Sequence, residues 1–590
     1  MINKVELGSV KNNSQTPNRI VIKNNNVGQQ SFTGLGKLAH KAGDLALSGI
    51  QKCEERPMVN VAVLDLSTAI IPRTFFETFI GSKTKDEDGN DTHHRKLNIM
   101  GGFEALRREG SGLLINCIIP SYIVIGAAHL LHRPIMGMFK KSNLVRSWAN
   151  GDTINSVQKY YNNAQGLTKE DRVYSTLKTM FDDIEGVNGS AEKDGLKKFK
   201  EIFANDSEYT EHLRKMAKNI VSDKPEENYT SEMYKYLVKK SGIAENIKFS
   251  GDKGYFSSSL SHLCESASDI LHGAYLEGII KDYAPDSAQG KNAEKLVSKE
   301  VEEISKYFGK AKKLVNAKSI AGLGMIIPLA IAAQPINRWI THKLSGKKGA
   351  PIYNDDRERV LTPEEKKKLT RDKFIAVPMM WGVAGLSMLM DKPSLKMFQF
   401  KNIFPTMDQA RIISAATFSS RLAAAEDSNE LKENTIRDIA TFSSFYFLGD
   451  YAAKAIATFL EKHNKDGIKL INRLKEPKEG ANILQKFWNW AKHTKMKSTD
   501  ELGSIADKAL WQKARRMRGI CQFGNLAFSL LSLGVFIPIY TRTQSNKKEK
   551  MSQSQNQNST LTTTSAQSSS IKFSENLIKD NAPTFKSFFS

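Results

Sequence analysis

GLLINCIIPSYIVIGAAHLL, residues 112–131, runs for twenty residues without Asp, Glu, Lys or Arg. A helix needs about 20 apolar residues to cross about 30 Å of hydrocarbon. Arg107 and Arg108 precede the stretch and Arg133 follows it, so charge is kept to its two ends. A fully buried helix of a large soluble domain is the competing reading of this stretch.

Further stretches repeat the pattern. SIAGLGMIIPLAIAAQPI at 319–336 lies between Lys318 and the pair Arg338-Trp339, and a Trp beside an Arg suits the head-group level. FIAVPMMWGVAGLSMLM at 374–390, between Lys373 and Asp391, is at the lower limit of spanning length. GICQFGNLAFSLLSLGVFIPIY at 519–540 follows Arg515, Arg516 and Arg518. IATFSSFYFLGDYAAKAIATFL at 439–460 is a marginal candidate, because it carries Asp450 and Lys454. VNVAVLDLSTAII at 59–71, between Arg56 and Arg73, reads as too short to cross comfortably. It fits an interfacial segment, a re-entrant one or part of a soluble core. The expected fold class is mainly α: a multi-span helical membrane protein of four to six spans, with a soluble helical domain and disordered termini.

The expected organisation follows from these runs. Residues 1–55 form a flexible lead. Residues 56–149 are a membrane-proximal region with the first span, and 150–316 a soluble helical domain. Residues 317–392 are a helical hairpin with two spans, 393–545 a helical region with the marginal and last spans, and 546–590 a disordered Ser/Thr/Gln-rich tail. Within 150–316, amphipathic helices are expected at 172–184, 196–203 and 260–283, with breaks at Asn188-Gly189 and Pro285. In the connector of the hairpin, Thr362-Pro363-Glu364-Glu365 is a helix start: Thr362 caps, Pro363 suits the first position and Glu365 completes a capping box.

The chain of 590 residues has a formal net charge of +23 and pI near 9.5. Its Lys and Arg residues are spread along the whole length and thicken beside apolar stretches. Anionic lipid head groups of a bilayer are therefore the expected partner, and nucleic acid is not. A protein partner through 150–316 is a further expectation. Cys53, Cys117, Cys264 and Cys521 form no CxxC motif and read as reduced thiols. The first thirty residues are polar, so no cleaved secretory signal is expected.

One internal regularity stands out. Branched residue plus proline recurs as Ile71-Pro72, Ile119-Pro120, Ile327-Pro328, Val377-Pro378 and Ile537-Pro538. Inside a span, Pro120, Pro328, Pro378 and Pro538 are candidate kinks, since neighbouring helices can re-satisfy a freed carbonyl. The alternative is that each proline ends a soluble helix.

Charge placement gives conflicting topologies. The connector 341–373 carries ten Lys and Arg against six acids, which favours the cytoplasmic side. Residues 461–518 are equally basic, and putting both inside leaves the basic start of the tail outside.

Few residues suggest chemistry. Asp450 and Lys454, four apart, share a helix face and form a possible intramembrane ion pair; a surface helix is the bland alternative. Asp65 invites the same two readings. His129 and His132 have metal-ligand spacing but no acidic third ligand and no HExxH pattern, so interfacial solvation is favoured. Phe487, Trp488 and Trp490 among lysines read as an amphipathic interfacial segment. The short glycine motifs at 34–37 and 345–349 lack the spacing of phosphate loops. No metal, cofactor or catalytic residue is expected, and the chain is not expected to be an enzyme.

IIPRTFFETF at 70–79, RREGSGLLINCIIPSYIVIGAAHLL at 107–131 and AAQPINRWITHKLSGKKGAPIY at 332–353 resemble a group of uncharacterised bacterial proteins with predicted membrane helices. The resemblance covers about residues 30 to 540. It implies a bacterial inner-membrane location and carries no activity. The leading functional expectation is an integral membrane protein with a structural or interaction role. A transporter or pore-forming protein is second, and a soluble helical interaction protein third.

Overall fold

The computed structural model describes residues 57–79, 82–85, 91–97, 99–136, 144–147, 149–256, 259–282, 291–345, 361–390, 399, 406–537, 539–540 and 543. The expected flexible lead, disordered tail and Pro538 lie outside the described residues. Within them the chain is mainly helical.

Helix α1 (57–79) runs Pro57–Asp65, a wide π turn Leu66–Ile70, then Ile71–Phe79. After the strand pair β1 (Ser82–Lys85) and β2 (Asp91–Lys96), α2 (99–136) runs Ile99–Leu113, a π turn Leu114–Ile118, then Ile119–Met136. The polar stretch follows as α3 (Gly151–Asn162), α4 (Lys169–Asp182), β3 (Ile184–Gly186), β4 (Lys197–Lys198), α5 (Phe199–Ile202), α6 (Ser207–Ile220), α7 (Tyr229–Ser241), β5 (Ile247–Phe249) and α8 (Leu260–Leu276). Then come α9 (Lys291–Ser345), α10 (Pro363–Met390) and α11 (Met407–Ala423). Helix α12 (428–463) contains a π turn at Ser444–Leu448. It leads to β6 (Ile471–Arg473), α13 (Ile483–His493), β7 (Thr494–Met496) and α14 (Thr499–Leu502). Helix α15 (508–536) ends in a π turn, Leu530–Phe536.

These elements form a polar layer and an apolar bundle. The core of the layer is built from α3–α8, the three-stranded antiparallel sheet β4-β3-β5 and the first part of α9, through Tyr307, Phe308, Ala311 and Leu314. Side-chain caps explain its helix starts: Asn150, Thr168, Asp206 and Ser259 accept from the first-turn amides of α3, α4, α6 and α8. Arg172 of α4 pairs with Glu300 of α9 at 3.2 Å, and Tyr161 of α3 donates to the same carboxylate. Both charged partners are buried, so each needs the other.

Residues 464–507 join this layer although they are remote in sequence. Strands β6 and β7 pair antiparallel. Arg473 N–H donates to Gly189 O at 2.7 Å, and Ala191 N–H to Arg473 O at 2.9 Å. Gly189 holds φ +105, a conformation that other residues adopt at a cost.

Among the described residues, four helices are long and apolar enough to cross a membrane: Val59–Phe76, Gly101–Met136, Lys299–Leu344 and Lys508–Phe536. The first corrects the reading of residues 59–71 as too short. The helix does not stop at Arg73 but runs on to Phe79, and Arg73 turns to Glu109 of α2 at 2.6 Å. Phe374 to Met390 forms the second half of α10. The expected start of that helix is formed: Glu365 N–H donates to Thr362 Oγ1 at 3.2 Å, and Thr362 N–H to Glu365 Oε2 at 3.0 Å.

Helix α9 links the two parts. Its 55 residues make a rod of about 80 Å. Its first part sits in the layer, and its second part packs in the bundle through Ile326, Ala330 and Ala333. Its far end meets α2, where Arg107 donates to Asn337 Oδ1 at 2.9 Å and to Thr341 Oγ1 at 2.6 Å.

The seam between 464–507 and the rest of the layer carries a titratable group. Glu501 completes a capping box with Ser498 on α14 and accepts from Ala244 N–H at 3.2 Å. Burial, with Glu245 nearby, pushes its carboxyl from 4.5 up to about 7. The folded state thus holds the proton more tightly than the unfolded chain. The stability from this group is full below about 4.5 and is lost as pH rises through about 7. Glu501→Gln is expected to flatten the fall of the unfolding midpoint across that window. An unchanged pH profile in thermal melts of the variant would refute the assignment.

Candidate functional site in the apolar bundle

The four π turns meet around one cavity of about 340 Å³. Ala69 of α1, Asn116 and Cys117 of α2, Phe445 and Tyr446 of α12 and Leu533 of α15 line it, and all lie in those turns. The sequence explains two of the turns directly. Proline lacks an N–H and crowds the carbonyl four residues back. Ahead of Pro72 and Pro120 the helix widens, with Ile71 N–H bonding to Leu66 O and Ile119 N–H to Leu114 O. The widened α1 lies close to α15: a Cβ at Gly534 would sit 2.9 Å from Thr68 O. Single π turns of this kind are frequent at functional sites.

Charged side chains enter the same cavity from four helices. Arg73 of α1 pairs with Glu109 of α2 at 2.6 Å. Arg421 of α11 lies 2.9 Å from Asp438 of α12 and 3.7 Å from Glu109. Arg437 Nε reaches the same Asp438 oxygen, Oδ1, at 3.1 Å, and its Nη2 donates to Asn434. Asp438 is 1% exposed, and its Oδ2 has no hydrogen-bond partner. Asp65 also lines the cavity. Polar bonds extend the site along α11: Thr417 Oγ1 donates to Asn116 Oδ1 at 2.9 Å, and Ser414 Oγ lies 2.7 Å from the Tyr446 hydroxyl. A mostly apolar cavity with a few convergent polar groups is the usual form of a small-molecule site.

The sequence-selected residues fall in several places. Lys454 Nζ is 2.7 Å from Asp450 Oδ2; Lys454 is buried, and the Asp450 side chain is 58% exposed. Neither lines the cavity. Pro120 is buried directly after the π turn of α2, while Pro328 and Pro378 lie inside α9 and α10. His129 is exposed and His132 half-buried on α2. Among the described residues no group of three or more His, Cys, Asp or Glu is placed to hold a metal ion. Cys117, Cys264 and Cys521 are buried and form no disulfide with a described residue. The aromatic segment forms α13, with Phe487 and Trp488 exposed and Trp490 Nε1 donating to Thr458 Oγ1 of α12 at 3.1 Å.

Sequence reading found Asp65 but missed Arg73, Glu109, Arg421, Arg437 and Asp438 as a group. Arg73 served there only as the charge that bounds the 59–71 run, and Glu109 was not singled out. The others sit on α11 and the first half of α12, where polar residues hide the buried character from hydropathy. The available signal was the small-residue run Ser414-Ala415-Ala416-Thr417 beside Arg421, since small residues let helices approach closely.

Removing Asp438 takes the nearest carboxylate from two guanidiniums and leaves Arg421 only the longer contact to Glu109. Asp438→Ala is expected to cost about 3–5 kcal/mol, the range for breaking a buried ion pair. Unfolding followed by tryptophan fluorescence in detergent reads this, and an unshifted midpoint would show that the network does not hold the bundle.

Comparison with protein-family models, curated proteins and solved structures yields no match for this chain.

Proposed function

We propose that the chain is an integral membrane protein whose bundle lies in lipid and whose polar layer stands at one surface. The observation that carries this is the outer face of the bundle. Of the most apolar stretch of each of the four long helices, only 22% to 39% is buried. Tyr122 and Leu130 on α2, Ile320 on α9 and Phe523 on α15 are all more than half exposed, and Phe374 and Leu386 continue the face on α10. Burying such side chains is worth about 25 cal/mol per Å², and contiguous exposed apolar surface beyond a few hundred Å² marks an interaction surface. Lipid supplies that burial along every helix at once. Helix α13 suits the same setting, with Ile483, Leu484, Phe487 and Trp488 exposed beside Lys486 and Lys492. Anionic head groups are the partner this arrangement favours.

Between a purely structural role and the binding or transport of a solute, the charged cavity favours the second. A scaffold needs helices that pack, whereas ionisable groups gathered inside such a bundle cost stability and mark solute or ion paths. The assignment to the membrane is tested by fractionating cells that express the full chain. It is expected to stay in the pellet through alkaline carbonate and to be released by detergent. Recovery of folded, monodisperse protein without detergent would overturn it.

A further inference from the structure

The chemistry of the cavity selects a ligand class. Its walls carry three guanidiniums, Arg73, Arg421 and Arg437, against four carboxyl groups, Asp65, Glu109, Glu433 and Asp438. Each guanidinium already has a carboxylate within 3.1 Å. The unmet capacity is on the acidic side. Asp438 is almost wholly buried and offers a carboxylate oxygen, Oδ2, with no donor. Asp65 makes no hydrogen bond or ion pair with any described residue. A buried carboxylate oxygen left without a donor costs free energy. A cationic donor repairs that deficit, and an anion deepens it. The rest of the wall includes Phe76, Phe445 and Tyr446, and aromatic rings favour organic cations.

We infer that this cavity binds a small organic cation, a protonated primary amine with a short apolar body. Its ammonium donates to Asp438 Oδ2 and Asp65, and its body rests against the aromatic wall. This rests on the proposed solute-binding role of the bundle and adds the sign and chemistry of the solute.

The test uses the full chain in detergent and labelled phenethylamine near neutral pH, read by equilibrium dialysis. Saturable binding is expected, at least about tenfold tighter than for phenylacetate, which keeps the ring and reverses the charge. Asp438→Asn replaces the open acceptor with a donor and is expected to weaken binding at least about tenfold. Gly112 provides a second variant that leaves the charges alone. It lines the cavity, and a Cβ built there meets nothing within 4 Å. Gly112→Phe is expected to abolish binding while the protein stays monodisperse, and Gly112→Ala to retain it. Equal or tighter binding of phenylacetate, undiminished binding in Gly112→Phe, or no binding of phenethylamine to folded protein would each overturn the inference. If the chain proves soluble without detergent, the membrane reading falls. The same dialysis in plain buffer then still decides whether the cavity takes an amine.

Discussion

Arg421 sits on a helix with almost no outer face, since every residue of α11 from Gln409 to Leu422 is buried. A guanidinium there is several kcal/mol unfavourable unless it is paired. Asp438 and Glu109 supply the pairing, which fixes α12 and α2 against α11. Glu109 in turn holds Arg73, bringing α1 into the same knot. The outcome is a bundle with a charged knot inside it and large apolar side chains on its outer face. In the lipid setting proposed for this bundle, the hydrophobic effect would not drive helices together, and close packing with interhelical polar bonds would take its place. The hydroxyl contacts of Ser414 and Thr417 on α11 are bonds of that kind.

Helix α9 transmits this arrangement to the polar layer. An uninterrupted helix cannot shift one half without the other. Its first part is tied down by Glu300, which pairs with Arg172 and accepts from Tyr161. Its far end is held by Asn337 and Thr341, which bond to Arg107. Pro328 and Pro335 lie within the helix, yet it continues, as packed neighbours allow where an isolated helix in water would break. The layer and the bundle are therefore mechanically one piece along this rod.

Much of the apolar framework was legible in the sequence because hydropathy is a local property. Gly112–Leu131 and Ser319–Ile336 fall within single helices, and the start of α10 follows from Thr362 and Glu365 alone. Legibility failed where burial depends on remote partners. Residues 59–71 read as short because Arg73 looked like an end, when its charge is matched by Glu109, thirty-six residues away. Helix α11 escaped notice because Arg411, Arg421 and its hydroxyls cancel its apolar residues in any average. The Ile-Pro recurrence was visible, but its meaning needed the backbone. Of the pairs whose residues are both described, Ile71-Pro72 and Ile119-Pro120 follow wide turns that face the cavity, and no rule of sequence spacing shows which turns will meet. The β6–β7 pair belongs to the layer through Gly189 and Asn472, a contact across 283 residues.

Under the proposed membrane placement, the same geometry separates the two basic stretches. Residues 341–373 and 461–518 each pull toward one side by charge, and the sequence reading found no placement that satisfied both. Helix α9 leaves the layer near Val315 and reaches Thr341 at the opposite end of the bundle, beside Arg107 and Glu104. Residues 464–507 bond into the layer itself. The described start of the first stretch, at Thr341, and residues 464–507 thus stand at opposite ends of the bundle, so in the proposed membrane only one of the two stretches can govern orientation. The charge rule applies to short loops, because folded segments cross largely regardless of charge. Several lysines of the second stretch are engaged in folded structure, Lys497 with Asn188 and Lys469 with Asp194. The connector between α9 and α10 is short, and its basic residues outnumber its acids. The conflict came from weighing a folded layer as though it were a loop.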